Sequence, residues 1–282
     1  MIDALLQSIP LALVAAVPLL LAVEGEVVVQ RSGIINLGIE GMMLIAAMCA
    51  VVGAQWSHSV AVGFVAGVAG AALVAAIFGL FAIVLRADQI VAGTAINFLA
   101  LGATGFVYRE LSSFMQSVPH LQSSTPIVIT AWIVVPIALA IVLWRTMFGL
   151  RLRACGENPE AVTSSGASVG FHKWAALAIE ALLVGIAGAD LSLVLSAGFA
   201  ENMTAGRGFI ALSIVIFGRW NFTGALIGTA LFGAAEALQF AMQAASSGVQ
   251  FHLLLAVPYV VTLLILCGIA GRVRAPQSLG KA

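Results

Sequence analysis

The sequence predicts an all-α fold, a polytopic transmembrane helix bundle of about eight to ten spans with broken or re-entrant helices. Three observations carry that expectation. Apolar residues make up 62% of the 282, and only 9% are charged, too few to cover a water-soluble domain, which carries roughly 25%. The charge-free runs 41–85, 89–108, 111–144 and 237–271 each hold a helix of about 20 apolar residues, enough to cross the hydrocarbon core. Polar, glycine-bearing stretches punctuate these runs, and non-helical backbone at membrane depth survives only inside protein or beside a water-filled cavity. Lys plus Arg equals Asp plus Glu at 12 each, so the clustered basic excess of a nucleic-acid binder is absent. Disorder is excluded because it needs low hydrophobicity and high charge. Cys49, Cys155 and Cys267 are widely spaced without a CxxC, which implies neither a disulfide framework nor a zinc site.

In chain order the predicted spans are 4–23, 40–55, 62–85, 89–108, 127–146, 174–196, 208–218, 222–243 and 251–270. The first has no basic n-region and runs too long for a cleavable signal peptide. The second and third divide one long run at Gln55-Trp56-Ser57-His58-Ser59. The seventh, at eleven residues, is too short to cross unaided; it either extends back through the glycine-rich segment before it or re-enters. Glycines four apart, such as Gly63/Gly67 and Gly224/Gly228, allow close helix approach in lipid. The chain 1–282 reads as a single transmembrane domain with a cytoplasmic loop at 147–173.

The basic residues set the expected orientation. With the N-terminus outside, the C-terminus cytoplasmic and nine crossings, Arg31, Arg86, Arg145, Arg151, Arg153, Lys173, Arg219, Arg272, Arg274 and Lys281 fall inside, and Arg109 and Arg207 outside. Glu24 and Glu26 then lie on the cytoplasmic side, beyond the first span. Glu180, Asp190 and Glu236 lie within spans, where an ionised group costs about 2.5–3.5 kcal/mol, and no basic residue sits deep enough to pair with them. Trp56, Trp132, Trp144, Trp174 and Trp220 all lie near span ends, as headgroup anchors do.

Three stretches break the membrane pattern: Arg31–Gly41, Arg86–Asn97 and Asn202–Gly208. Transporters bind solute at such breaks. Asn36, Glu40, Thr94 and Asn97 are the candidate substrate-pathway residues, and each suits equally the cap of a broken helix. The loop at 147–173 carries its own signals. Asn158 is a good N-cap, Pro159 fits the first helical position, Glu160 complements the dipole, and Gly166 can end the turn left-handed. A short helix lying off the membrane looks like a docking element for a cytoplasmic partner. No GxxxxGK[ST] or HExxH occurs, so the chain is read as no enzyme, and any ATPase as a separate subunit.

Arg31-Ser32-Gly33-Ile34-Ile35-Asn36-Leu37-Gly38-Ile39-Glu40-Gly41-Met42-Met43, the loop Gly149–Ala161, Gly206–Leu212 and Phe217-Gly218-Arg219-Trp220-Asn221 resemble permease subunits of bacterial ABC importers. The group is the branched-chain amino acid, ribose and nucleoside permease superfamily, and the motifs are similar to its nucleoside-type branch and to the shorter of that branch's paired permeases. Cys155 departs from the pattern, which more usually has a small aliphatic residue there. The resemblance implies a nucleoside or purine-like solute moved by alternating access. It implies a heterodimer with a second homologous permease, a cytoplasmic ABC ATP-binding subunit and an extracytoplasmic solute-binding protein, in the bacterial plasma (inner) membrane. It places ATP and Mg on the ATPase, with no cofactor on this chain. Gly156, Glu157, Asn158, Pro159 and Glu160 would form the ATPase-coupling helix. Two alternatives stand: a permease for simple sugars or branched-chain amino acids, and, on the acids at 180, 190 and 236, an ion-coupled secondary transporter or channel.

Overall fold

Charge-poor helices pack around one polar-bearing central helix. The structure, a computed structural model, describes residues 10, 12–112, 118–121, 124–244, 260 and 274–281. Among the described residues there are helices and no strands. In order they are α1 (Val17–Arg31), α2 (Ile39–Ser57), α3 (Val60–Val84), α4 (Gln89–Leu111), α5 (Thr125–Arg145), α6 (Met147–Glu157), α7 (Pro159–Ser164), α8 (Val169–Leu195), α9 (Arg207–Phe217) and α10 (Phe222–Ala244). α2, α3, α4, α5 and α8 are long and apolar enough to cross a membrane. The predicted spans at 40–55, 62–85, 89–108, 127–146, 174–196 and 222–243 thus fall on helices, while the one at 251–270 lies, apart from Val260, outside the described residues.

α1 is the hub. Every residue from Val17 to Gln30 is buried, and the helix packs against α8, α9 and α10. It corrects the reading of the first span, which was expected to end at 23. The helix continues to Arg31, and Glu24 and Glu26 are fully buried within it instead of lying in a cytoplasmic loop. Counting charges ends a span at the first carboxylate. Here the interior supplies donors for one of them, since Gln30 Nε2 donates to Glu26 Oε1 at 2.8 Å.

α8 packs on α1, α2 and α3, and small residues set those distances. A Cβ at Gly185 would lie 2.5 Å from Val68 Cα, and one at Gly188 2.5 Å from the Met43 carbonyl oxygen. The Gly63/Gly67 pair does the same between α3 and α2, facing the carbonyls of Ala50 and Ala46. α4 and α5 are peripheral and present Leu99, Phe106, Ile133 and Ile137 outward, the apolar face expected of helices that meet acyl chains.

α9 stays at eleven residues. The chain before it is non-helical from Ser196 to Gly206, with Ala197, Asn202, Ala205 and Gly206 at positive φ. After it, Arg219 and Trp220 turn left-handed into α10. Trp220 is buried rather than interfacial, because its indole Nε1 donates to Gln30 Oε1 on α1 at 2.6 Å. The loop at 147–173 holds two helices instead of one. Thr146 caps α6 by accepting from the Gly149 amide at 3.1 Å, and α6 buries Gly149, Leu152, Cys155 and Gly156 at helical spacing.

Gly185→Leu should force α3 and α8 apart at the cost of overpacking, about 1–3 kcal/mol. A lower midpoint in a detergent thermal-unfolding assay checks this, whereas Gly102→Leu, with nothing near its added Cβ, should leave the midpoint in place.

Candidate functional site

The three broken stretches, far apart in sequence, meet in one place. α2 begins after Gly38, which has no side chain to cap it, so its first amides need outside acceptors. Asn97 on α4 supplies one. Its Oδ1 accepts from the Gly41 amide and its Nδ2 donates to the Leu37 carbonyl, both at 2.8 Å. The helices can approach this closely because a Cβ at Gly93 would lie 2.7 Å from the Gly38 nitrogen. One turn earlier, Gln89 Oε1 accepts from the Ile35 amide at 2.8 Å, while Asp88 caps α4 itself by accepting from Ile90 and Val91.

Glu40 then ties α2 to the third stretch. Its Oε1 accepts from the Thr204 hydroxyl at 2.6 Å and from the Gly206 amide at 2.8 Å, and its Oε2 accepts from the Gly208 amide at 2.6 Å. A carboxylate at a helix N-terminus satisfies orphan amides and meets the positive end of the dipole. Gly208 is required by the contact, since a Cβ there would lie 2.6 Å from the Glu40 nitrogen. A second carboxylate holds the same end of α9. Arg207 Nη2 donates to Glu236 Oε1 on α10 at 2.6 Å. This corrects the expectation that no basic residue reaches the acids within spans, because Arg207 pairs with Glu236 inside the protein and both are mostly buried.

Between these anchors lies a cavity of about 340 Å³, lined by Glu40, Thr94, Asn97 and Asn202 together with Phe98 and Phe209. That is within the range of small-molecule sites, which run from about 300 to 1,000 Å³. Three of the four candidate residues line it. Thr94 turns its hydroxyl back to the carbonyls of Ile90 and Val91, so its methyl face is the part left to the cavity. Asn36 does not line it. It is fully buried, accepts from the Gly38 amide, and donates Nδ2 to Glu180 Oε2 at 2.8 Å, while its own amide donates to Glu26 Oε1 at 3.3 Å. Asn36 therefore shapes the α1–α2 loop from behind. In the sequence Phe98 and Phe209 read only as apolar span residues, and Asn202 only as the start of the third break. A larger cavity of about 500 Å³ is walled by side chains such as Phe64, Val65 and Ile186, which suit an acyl chain and not a polar solute.

The second group, 156–160, is on the loop helices. Asn158 Oδ1 accepts from the Ala161 amide at 3.1 Å, and Pro159 opens α7. Glu157, Asn158 and Glu160 are exposed and Pro159 is half-buried. Gly166 follows with φ +77°, the left-handed stop its position predicts. Gly156 faces inward instead, where a Cβ would lie 2.3 Å from the Arg31 carbonyl oxygen. The elbow between α6 and α7 thus rests on the end of α1.

Residues 8–266 match the family model of the branched-chain amino acid transport system permease component. The chain belongs to that permease family. Its relatives include a guanosine ABC transporter permease of Bacillus subtilis (strain 168), 33% identical over 96% of this chain and 94% of the relative. A nucleoside ABC transporter permease of Lactococcus lactis subsp. cremoris is 32% identical over 95% of this chain and 93% of its own length. A putative glucose ABC transporter permease of Haloferax volcanii is 34% identical, covering 82% and 76%. No solved structure matches. This permease is accordingly a multi-pass membrane protein and the non-catalytic transport component of an ABC importer.

Glu40→Ala would strip the acceptor from three donors, and hydrogen bonds to a charged group contribute about 1.5–3 kcal/mol each. Amide hydrogen exchange across 202–210 should accelerate roughly tenfold or more, the equivalent of about 1.4 kcal/mol, with exchange in α8 unchanged.

Proposed function

We propose that this permease carries a nucleoside or purine-like solute through the cavity between α2, α4 and α9. The observation that carries the reading is near-full-length similarity to permeases named for guanosine and nucleosides. The chemistry of the cavity agrees with it. Asn97 bonds Leu37 and Gly41, and Glu40 bonds Thr204, Gly206 and Gly208, which leaves one amide proton on Asn97 and one lone pair on Glu40 for a base edge or ribose. Phe98 and Phe209, both exposed, offer ring faces on which a planar base can stack, a contact worth about 1–3 kcal/mol per base. The relative named for glucose, at similar identity, favours a second reading, a simple sugar.

In this reading the permease pairs with a second homologous permease and with an ATP-binding subunit that holds ATP and Mg. A solute-binding protein delivers cargo on the other face of the bacterial plasma membrane. The N-terminus is outside and the C-terminus cytoplasmic. Exposed Glu157, Asn158 and Glu160, with Pro159 at the helix start and Gly156 seating the elbow on Arg31, form the surface that meets the ATPase. Nucleotide binding favours one of two arrangements of the permease pair, a population shift driven by differential affinity.

Uptake by the assembled transporter in proteoliposomes, measured with labelled guanosine, ribose, glucose and leucine, tests the solute. Guanosine should be accumulated and should compete out any residual sugar uptake; transport of glucose without nucleosides would replace the reading with its alternative. The double variant Glu157→Ala/Asn158→Ala should retain folded permease yet lose at least about tenfold of uptake, since the cap and the charge at the contact go together. Normal uptake by a stably assembled double variant would sink the coupling assignment.

A further inference from the structure

Pro159 creates a local problem at the coupling elbow. The carbonyls ending a helix lack intrahelical partners, and the Cys155 carbonyl would take the amide of residue 159, which as proline has none. Ala154 is satisfied by the Asn158 amide at 2.8 Å. The partners for Cys155 and Gly156 come from the other end of the sequence. The Ser278 hydroxyl lies 2.8 Å from the Cys155 carbonyl oxygen and 2.7 Å from that of Gly156, and the Ser278 amide donates to Gly156 at 2.9 Å. Two residues later the Gly280 amide donates to the Gly33 carbonyl at 3.0 Å. Gly33, at φ +94°, passes so close that a Cβ on it would lie 3.0 Å from Ser278 Oγ and 3.3 Å from Gly156 Cα.

We propose that segment 274–281 is a clip joining the coupling elbow to the α1–α2 loop, with Ser278 as its positioning residue. The inference rests on the assignment of 156–160 as the ATPase-contacting element. One side of the clip bonds Cys155 and Gly156; the other bonds Gly33. From Gly33 the path is short. Ile35 is bonded to Gln89, Asn36 to Glu26 and Glu180, Leu37 to Asn97, and Glu40 to the start of α9. A displacement of the elbow is therefore delivered to the loop that frames the cavity. The clip also walls a polar cleft of about 690 Å³, with Gln277, Ser278 and Lys281 facing Glu157, Pro159 and Glu160 across it. Coupling of this kind requires an element whose arrangement both sites bias; the elbow, clip and loop together are that element.

The test uses the complete transporter in proteoliposomes and reads solute moved per ATP hydrolysed. Ser278→Ala should still co-purify with the ATPase and hydrolyse ATP, while uptake per ATP falls about fivefold or more. Ser278→Thr keeps the hydroxyl and should restore the ratio. An unchanged ratio in Ser278→Ala overturns the clip, and so does loss of ATPase co-purification, which would make the segment a docking part and not a transmitter. If Ser278→Ala does not accumulate, hydrogen exchange on the unaltered complex decides. Nucleotide-dependent protection at 33–35 that changes together with 156–160 supports the clip; change at 156–160 alone overturns it. The Glu157→Ala/Asn158→Ala variant run in parallel separates the two ideas. Its normal transport would defeat the coupling assignment, whereas its failure beside a normal Ser278→Ala defeats the clip only.

Discussion

The Glu40 carboxylate is the contact on which the rest of the site depends. Two helices start in the same small volume, α2 after Gly38 and α9 after Gly206, and neither has its own side-chain cap. A helix start left without acceptors in the interior costs several unmet hydrogen bonds. Glu40 satisfies the start of α9 with three bonds, and Asn97 satisfies the start of α2. The two short side chains thus permit non-helical backbone at Ser196–Gly206 and Ser32–Gly38 where lipid could not tolerate it. They also leave a cavity between the elements they hold apart.

Behind that site runs a polar spine inside α1. Trp220 bonds Gln30, Gln30 bonds Glu26, Glu26 accepts from Asn36, and Asn36 bonds Glu180. The chain of bonds joins four elements: the α9–α10 turn, α1, the α1–α2 loop and α8. Buried polar networks of this sort specify one arrangement because each member left unpaired is costly. The spine fixes the loop from within and segment 274–281 holds it from the cytoplasmic side proposed above. The loop 32–38 is consequently the junction between the elbow and the cavity, without any long rigid lever.

The sequence made the helical class and most span positions legible, because hydropathy in lipid is a strong, local signal. Of the residues in the polar breaks, Glu40, Thr94 and Asn97 line one cavity, and Asn158-Pro159-Glu160 opens a capped helix as their chemistry predicts. What the sequence hid was pairing. Glu24 and Glu26 read as the end of a span since a lone carboxylate in a helix gives no sign of Gln30 or Asn36 beside it. Arg207 and Glu236 stand 29 positions apart, and nothing local announces their bond. Trp220 looked interfacial because tryptophan near a span end usually is; its partner Gln30 lies 190 positions away. α6 lies inside the stretch 147–173 that reads as a loop between spans, although Gly149, Leu152, Cys155 and Gly156 keep helical spacing. Ser278 carried no signal at all.

The central claim is that the meeting point of the three breaks is the solute path. It is tested most directly by locating bound solute in the complete transporter trapped during loading with guanosine. The account predicts density bounded by Glu40, Thr94 and Asn97 with the base against Phe98 or Phe209. Density confined to a surface that touches none of α2, α4 and α9 would contradict it.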